Sequence, residues 1–328
     1  MTNWEIRDYD REFFAKHLES FVPDRIFDAH AHLYELSHWS RPTALDHGPD
    51  PVTLEVFREQ MDWITPGRPT SGLFFGAGFH AGFQASNDFV QKEVAKDSGS
   101  FAHYLVPPTM DPELLRQEVR SRKMAGLKVY HSFITGKPSW TADIGEFLTE
   151  EHVRIAHEER LTITLHMVRD RAMADPANQE RIVYYCRKYP NMKLILAHAA
   201  RGFNPYHTIE GIGALAGLRN VWCDSSAVTE AGAFEAIVDT LGKDRLVWGS
   251  DYPISHMRGR CVAIGDQFVW FYEDSVDWKA LAGHGKVECV FIGLESLRAM
   301  KLAATRLRLT DSDVEDIFRN NALRMLER

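Results

Sequence analysis

Cysteine is scarce in this sequence, and the few that occur are isolated. The four cysteines lie far apart and form no C-x-x-C pair. They are Cys186, Cys223, Cys261 and Cys289. Such spacing argues against a disulfide scaffold and against a structural zinc knuckle. We therefore expect reduced, buried thiols.

Long apolar runs and blocks of like charge are also missing. No stretch approaches the roughly 20 apolar residues that a membrane helix needs, and the N-terminal segment lacks an apolar signal core. The 38 basic and 46 acidic residues give a formal charge of −8 without clustering, which disfavours a broad nucleic-acid surface. We expect a soluble, cytoplasmic protein with a small-molecule substrate and with neither a membrane nor a nucleic-acid partner. A homo-oligomer is compatible with the sequence, which leaves the assembly undefined.

What is present is a rhythm of strands and helices. The 328 residues are 45% hydrophobic and 26% charged, which suits one large domain or two small ones. Eight apolar runs alternate with helical patterns, and the runs lie near residues 25–33, 72–77, 101–106, 126–130, 161–166, 193–198, 220–225 and 245–251. Eight such units predict an α/β fold of the TIM (β/α)8 barrel type.

An open doubly wound sheet is the alternative architecture, because it also alternates strands and helices. No glycine-rich phosphate fingerprint follows the first run, so this alternative has little support. We predict a single, distorted barrel domain over residues 1–328 with an N-terminal lead-in. Its strands extend from about 25 to 251, an insertion at the active face covers about 252–292, and C-terminal helices cover about 293–328.

The first run carries the pattern Asp-Ala-His-Ala-His. In a strand, alternate side chains point to the same face, so Asp28, His30 and His32 are predicted to share one face. Two imidazoles at this spacing can bind one divalent cation. Taken alone, the pair is more often two ordinary histidines than a ligand pair.

Several other runs end in residues that can bind metal or move protons. In a barrel the carboxyl ends of the strands meet at one mouth, so residues distant in sequence are brought together there. The residues at or near strand ends are His32, His166, His198 and Asp251, and Lys128 lies centrally in the fourth run. This joint pattern strongly favours a metal site.

Together these motifs resemble the amidohydrolase superfamily, in particular the metal-dependent hydrolases and decarboxylases of amidohydrolase family 2. The resemblance extends from about residue 25 to the end and is specific for the superfamily, not for a substrate. The segments that carry it are Asp28–His32, His166, Ala197–Ala199, Gly249–Pro253 and Asn320–Leu326.

The resemblance implies one divalent metal, with zinc as the expected ion. The implied ligands are His30, His32, His166 and Asp251. Independently of the family, three or four nitrogen or oxygen ligands with one open position are what catalytic zinc requires. The resemblance also implies that Asp251 takes a proton from a metal-activated water, which then attacks an electrophilic carbon. His198 would hydrogen-bond the carbonyl oxygen or the leaving group, or bind a second metal.

Lys128 has three possible roles. Its neighbours Leu127 and Val129 face the other side of the strand, so Lys128 and Tyr130 point into the barrel or into the helix layer. A buried, unpaired ammonium is costly, which favours a functional partner. In two-metal members of the superfamily a carboxylated lysine on the fourth strand bridges the ions, so two metals remain an option here. The other two roles are contact with the substrate and a purely structural or exposed position.

Several further residues are candidates for substrate contact. Arg169 and Arg201 each follow a strand-end histidine by three residues, and their guanidinium groups would suit a substrate carboxylate, although surface salt bridges are an equal alternative. Tyr130 could line the pocket or simply pack. His256 and Arg258 are weaker candidates, with exposed loop positions as the alternative.

Asp28 and the other histidines are expected to have structural roles or to lie on the surface. Asp28 is predicted to orient a ligand imidazole instead of binding metal. Eight histidines are expected to be structural or exposed, namely His38, His47, His80, His131, His152, His157, His207 and His284.

The leading functional hypothesis is a metal-dependent, lactonase-like hydrolase that opens a small cyclic ester, with a substrate that bears a carboxylate. The second hypothesis is a decarboxylase of an aromatic or semialdehyde carboxylic acid, which would use the same ligands. A non-catalytic binding barrel is improbable because the whole set of metal-capable residues is present. Substrate specificity depends on loops whose shape the sequence does not define.

Overall fold

The barrel is formed by strands that follow one another around a single sheet. The computed structural model describes residues 4–39, 48–77, 82–283 and 285–327, so His47, His80 and His284 lie outside the described residues. In the described part, eight strands pair in sequence order, each parallel to the next. They are β1 (Phe27–His32), β2 (Ser71–Phe75), β3 (Phe101–Leu105), β4 (Gly126–Tyr130), β5 (Thr162–His166), β6 (Lys193–Leu196), β7 (Val221–Asp224) and β8 (Leu246–Val247). The predicted TIM barrel is confirmed.

The barrel closes between β1 and the segment that follows β8. Strand β8 itself has two residues, and Asp251 in the segment after it has φ +59°. Closure depends on main-chain hydrogen bonds from Ala29 N to Trp248 O at 2.9 Å, from Asp251 N to His30 O at 2.8 Å and from His32 N to Tyr252 O at 3.0 Å. Asp251 is therefore held directly beside the histidine strand.

Helices connect the strands, and polar caps define where several of them begin. The helices are Asp8–His17, Leu54–Met61, Phe83–Val94, Pro112–Ser121, Ile144–Phe147, Glu150–Glu158, Pro176–Lys188, Pro205–Gly211, Ala231–Leu241, Trp278–Ala282, Ile292–Leu307, Asp311–Glu315 and Asn321–Leu326. The helix Pro112–Ser121 begins after Asp111, whose Oδ1 accepts hydrogen bonds from Glu113 N and Leu114 N.

Apolar side chains form two cores. The larger one lies between the strands and the helices, and it includes Leu127 and Val129 of β4. The smaller one fills the lower barrel interior, where strand side chains pack against the C-terminal helix; its members include Phe27, Leu73, Ile195, Trp222, Val247, Ala322 and Met325. The polar mouth thus lies above a filled, apolar floor. Three cysteines are buried as expected, whereas Cys289 is half-buried.

The alternation predicted for β1 is interrupted. Its register against β2 shifts by one residue between Asp28, which pairs with Gly72, and Ala31, which pairs with Phe74. His32 pairs with Phe75, which belongs to the barrel interior, whereas Asp28 is opposite a residue on the other face of β2. The prediction that Asp28 shares a face with His30 and His32 is therefore wrong.

The segment after β8 contains a β-hairpin. Strand β9 (Gly259–Ile264) pairs antiparallel with β10 (Gln267–Tyr272) across a two-residue turn, and Gly265 in that turn has φ +58°. Glycine at the first turn position is typical of a type II′ turn, which suits the twist of a hairpin. None of the described helices is both long and apolar enough to cross a bilayer.

Candidate active site

Two histidines and one aspartate converge at the barrel mouth. The Nε2 atoms of His30 and His32 lie 3.4 and 3.5 Å from Oδ1 of Asp251. All three side chains are buried. Ligands about 2.1 Å from a tetrahedral zinc ion are about 3.4 Å from one another, so the observed separations suit a shared divalent ion. This is the set that the sequence predicted, without His166.

Asp224, at the end of β7, fixes the orientation of His30. Nδ1 of His30 donates to Asp224 Oδ2 at 2.8 Å, so its Nε2 carries the lone pair that faces Asp251. Burial, together with the Lys128 ammonium, lowers the pKa of His30 to about 4. The imidazole is therefore neutral at physiological pH, as metal binding requires.

The Asp224 carboxylate also organises the neighbouring strand end. Its Oδ1 accepts hydrogen bonds from His198 N at 2.9 Å and from the hydroxyl of Ser226 at 2.6 Å. Burial acts to raise the pKa of Asp224, but the interaction with His30 and these hydrogen bonds outweigh it, so the pKa lies well below its usual range. Sequence reasoning missed Asp224, although it ends a strand in the same way as the histidines do.

The Asp224→Asn substitution is expected to weaken metal binding roughly 10- to 100-fold, because an amide holds the His30 ring less firmly and lowers its basicity. Titration of zinc against a competing chelator measures the affinity. The matched control is Asp244→Asn, at a mostly exposed carboxylate that pairs with Arg245 on the surface. Equal affinity in both variants would contradict the orienting role.

Asp28 does not hold an imidazole ring. Its Oδ1 accepts from the main-chain nitrogens of His30 at 3.0 Å and Ser250 at 2.9 Å. It therefore ties the backbone of β1 to the segment before Asp251. Burial raises its pKa to about 7, and its Oδ2 has no hydrogen-bond partner within the described ranges. The predicted ring-orienting role belongs to Asp224.

His198 and His166 form a second pair of rings beside the first. The His198 ring centroid lies 5.0 Å from that of His30 and 4.9 Å from that of His166. Nδ1 of His198 donates to Ser226 O at 3.1 Å, which leaves the lone pair on Nε2. A neutral His198 can therefore act as a metal ligand or proton acceptor, and it donates a hydrogen bond from Nε2 only as imidazolium.

His166 is half-buried, and its surroundings fit ligation. Burial holds its pKa well below the usual range, and its Nδ1 has no hydrogen-bond partner among the described residues. The candidate metal-binding groups in that part of the chain are His30, His32 and Asp251, and His30, His198 and Asp224; neither includes His166. Its role as a ligand stays a prediction.

Lys128 points into the barrel and is fully buried, so an exposed position is ruled out. Its Nζ lies 3.4 Å from Nε2 of His30 and over the rings of Phe75 and Tyr130, at 4.3 and 4.7 Å from their centroids. Burial lowers its pKa to about 7, against the opposing effect of the nearby carboxylates. Tyr130 lies in the same group, with its hydroxyl 3.5 Å from Nε2 of His32.

The two candidate arginines differ in their surroundings. The guanidinium of Arg169 forms ion pairs with two carboxylates. Its Nε lies 2.9 Å from Asp175 Oδ2, and its Nη1 lies 2.6 Å from Asp143 Oδ1. Arg201 is half-buried, and in the described part of the chain its hydrogen bond is from Nη1 to Met167 O at 3.2 Å. Arg201 is thus the freer cation near the histidines, while substrate binding by either residue stays a prediction.

His256 and Arg258 are buried structural residues instead of exposed loop residues. Nε2 of His256 donates to Gln60 O at 2.8 Å. Arg258 forms a two-pronged ion pair with Asp10, at 2.8 and 2.6 Å. Both therefore hold the segment after β8 against the rest of the fold.

A parallel barrel whose mouth gathers histidines and an aspartate from separate strand ends defines the class of metal-dependent barrel enzymes. The chain belongs to the amidohydrolase family, since the family model described as Amidohydrolase (Amidohydro_2) matches residues 27–328. The resemblance found in the motifs is confirmed, and the family includes hydrolases and decarboxylases.

One curated relative is the L-fucono-1,5-lactonase of Burkholderia ambifaria, with 29% identity over 116 residues. The match covers 30% of this chain and 38% of the relative. Because the match is partial, lactonase activity is only a proposal for this chain.

Solved structures share the fold. A probable 2-pyrone-4,6-dicarboxylic acid hydrolase from Acinetobacter baumannii with citric acid bound has a TM-score of 0.57 and 16% identity, over 92% of this chain and 98% of that chain. A zinc-bound amidohydrolase from Burkholderia multivorans has a TM-score of 0.57 and 15% identity, over 92% of this chain and 98% of that chain. A 2,6-dihydroxybenzoate decarboxylase from Rhizobium has a TM-score of 0.54 and 14% identity, over 93% of this chain and 98% of that chain. At these identities the likeness shows the fold alone.

Proposed function

We propose that this protein is a metal-dependent, lactonase-like hydrolase that opens a small cyclic ester bearing a carboxylate. The observation that carries the proposal is the convergence of His30 Nε2 and His32 Nε2 on Asp251 Oδ1, with the tautomer of His30 set by Asp224. The partial match to a lactonase supports the choice of ester chemistry.

The proposed cofactor is one zinc ion, held by His30, His32 and Asp251, with His166 as a further ligand. Such an ion supplies Lewis acidity toward water and toward the ester carbonyl. A second ion, bridged by a carboxylated Lys128 and bound by His198, is the alternative stoichiometry. The donors grouped at the mouth, His30, His32 and Asp251, support the arrangement with one ion.

Asp251 is the proposed general base. It takes a proton from the attacking water as the water oxygen bonds to the ester carbon, and the tetrahedral intermediate then breaks the ring C–O bond. Asp251 returns the proton to the ring oxygen, so the products are a hydroxy acid and the regenerated carboxylate. His198, whose Nδ1 donates to Ser226 O, can accept a hydrogen bond or bind metal through Nε2.

Arg201 and Tyr130 are proposed to contact the substrate. The guanidinium of Arg201 can bind a substrate carboxylate in two-pronged fashion, because its hydrogen bond within the described ranges uses one Nη1 donor. Arg169 is a weaker candidate, since two carboxylates already hold it. The cytoplasmic location expected from the sequence also stays a proposal.

Removal of metal is expected to abolish ring opening. Purified protein should hold about one zinc per chain by elemental analysis, lose hydrolysis of its lactone after chelation and regain it with added zinc. A panel of sugar and dicarboxylate lactones identifies the reaction. The His32→Asn variant should not recover, whereas His157→Asn, outside the barrel mouth, should behave as wild type.

A parallel panel of carboxylic acids distinguishes the hydrolase from the second candidate, a decarboxylase. Release of carbon dioxide from aromatic or semialdehyde acids, without ring opening of any lactone, would reassign the site to a decarboxylase. Absence of both reactions, together with less than about a tenth of an equivalent of metal, would favour a non-catalytic barrel.

A further inference from the structure

We propose that a cation-lined cavity on the helix layer, outside the barrel mouth, binds a small organic phosphate monoester. The cavity has a volume of about 530 Å³ and lies between the helices Asp8–His17, Ala231–Leu241 and Ile292–Leu307 and strand β9. Pockets for small ligands enclose about 300–1,000 Å³, so the space suits a sugar phosphate or a nucleotide. The inference goes beyond the proposed function, because the cavity is lined by other residues than the barrel mouth.

The lining of the cavity is positively charged, although the whole chain carries a formal charge of −8. Cations outnumber carboxylates in it. The cations are Arg260, Arg298, Lys301 and Arg306, and the carboxylates are Glu230 and Glu295. A local excess of positive charge on an acidic protein favours an anionic ligand.

Two of the cations have carboxylate partners. Arg306 Nη1 lies 3.0 Å from Glu235 Oε1, and Arg260 Nη1 lies 3.7 Å from Glu295 Oε2. The second contact is loose, and Arg260 also donates from Nη2 to Thr229 O at 3.1 Å. Arg260 is therefore held on β9 with its charge only partly balanced.

The other two cations, Arg298 and Lys301, form no ion pair with a described residue. Lys301 Nζ donates to the main-chain oxygen of His17 at 2.6 Å, and the guanidinium carbon of Arg298 lies 5.5 Å from the Phe13 ring centroid. Because these neighbouring groups carry no formal charge, both positive charges are available to an anion.

His17 senses the positive potential at this end of the cavity. Partial burial and the charges of Lys16, Arg298 and Lys301 lower the pKa of its imidazole. All three of these charges are positive. An anion bound beside them opposes their effect and raises the pKa of His17, which makes this ring a reporter of binding.

The helix Ile292–Leu307 presents its part of the lining on one face. Arg298, Lys301, Leu302 and Thr305 follow one another at spacings that place them on the same side of the helix. Their backbone positions are fixed by a helix of 16 residues. Less conformational freedom is therefore lost on binding than in a mobile loop.

An apolar strip in the lining favours an organic phosphate over a bare ion. Ala231, Ala299 and Leu302 form this strip, and the Leu302 side chain is 44% exposed. A carbon skeleton that covers it removes apolar surface from water. The N-terminus of the helix Ala231–Leu241 also borders the cavity, and its positive dipole end attracts a phosphate. A dianionic head on a small organic body thus matches both parts of the lining.

Calorimetric titration with AMP, glucose 6-phosphate and inorganic phosphate tests the site, at about 0.15 M salt so that weak surface attraction is screened. At least one ester should bind about tenfold more tightly than inorganic phosphate, and adenosine and glucose should not bind. The stronger ester identifies the ligand as nucleotide-like or sugar-like. Absence of binding by both esters, or affinity no higher than that of inorganic phosphate, would overturn the proposal.

Two variants locate the bound ester. Arg298→Gln, at an exposed position, should weaken binding about tenfold because it removes a charge without a carboxylate partner. Glu295→Gln should tighten binding about threefold, because it releases Arg260 from its partner. The matched control Arg187→Gln changes an exposed arginine on the helix Pro176–Lys188 and should bind as wild type does. Unchanged binding in Arg298→Gln would place the ligand elsewhere and contradict the proposal.

NMR spectroscopy of isotope-labelled histidine gives a second readout. The signal of His17, identified by its loss in His17→Gln, should titrate with a higher pKa when the protein is saturated with the ester. An unchanged pKa of His17 would exclude this cavity as the binding site. These measurements follow binding and require no lactone, so the cavity can fail while the hydrolase proposal stands, and the reverse.

Discussion

Replacing Asp251 by asparagine is expected to lower kcat for lactone opening by about 10³-fold, because the amide cannot accept the proton of the attacking water. The variant should fold normally. Asp251 has φ +59°, and asparagine tolerates this left-handed conformation better than most residues do. Steady-state kinetics on zinc-loaded protein measure the effect.

The design separates a lost base from a lost ligand. Zinc content is measured in the same samples, and the comparison is made at saturating metal. Asp239→Asn, at an exposed position on the helix Ala231–Leu241, serves as the matched control and should keep wild-type turnover. A fully loaded Asp251→Asn protein within tenfold of wild type would show that another group removes the proton.

The Asp10→Ala substitution is expected to cost about 3–5 kcal/mol of the free energy of unfolding, because it leaves the buried Arg258 guanidinium without its counter-charge. Both residues are fully buried. Arg258 also donates to Glu5 O at 2.7 Å and to Cys289 O at 3.1 Å, and its guanidinium lies 4.2 Å from the Phe291 ring centroid. These bonds cannot replace the lost negative charge.

Urea unfolding of the chain measures the loss. The matched control is Asp8→Ala, in the same helix, where the carboxylate is 93% exposed and pairs with Arg11. A surface pair of this kind contributes less than about 1 kcal/mol. The double variant Asp10→Leu with Arg258→Met should recover much of the stability, because it removes both charges. Equal losses in Asp10→Ala and Asp8→Ala would contradict the expectation.

The sequence predicted the barrel because its signal is repeated eight times. Each strand run and each following helix is a weak local pattern, but their fixed alternation leaves few architectures. The same reasoning placed His30, His32 and Asp251 together, since strand ends of a barrel share one mouth. Distances of 3.4 and 3.5 Å between their ligand atoms agree with that expectation.

Errors arose where tertiary contacts decide the outcome. The one-residue register shift in β1 depends on pairing with β2, which the periodicity of one strand cannot reveal, so Asp28 was placed on the wrong face. Asp224 was overlooked because its role depends on a ring nitrogen contributed 194 residues earlier in the chain. The partners of Arg169 are the helix N-caps Asp143 and Asp175, and their closeness to its guanidinium depends on how the loops fold.

The hairpin, in contrast, had a readable signal. Gly265 and Asp266 separate two runs, and four of the five residues at 268–272 are aromatic. A two-residue Gly-Asp turn between alternating runs is a recognised hairpin pattern. From the sequence we predicted only an insertion at the active face over this segment, because the many aromatic and glycine residues around the turn obscure the hairpin pattern.

The turn that follows β6 affects how the site can change over evolution. His198, Ala199, Ala200 and Arg201 all have φ between +52° and +59°, a conformation that costs about 1–2 kcal/mol for each such residue. The two alanines are fully buried, so neither larger side chains nor insertions fit there easily. One stretch of strained backbone thus positions both His198 and Arg201, and a mutation that moves one moves the other. New substrate preferences would therefore arise more readily through exchanges elsewhere around the mouth than through this turn.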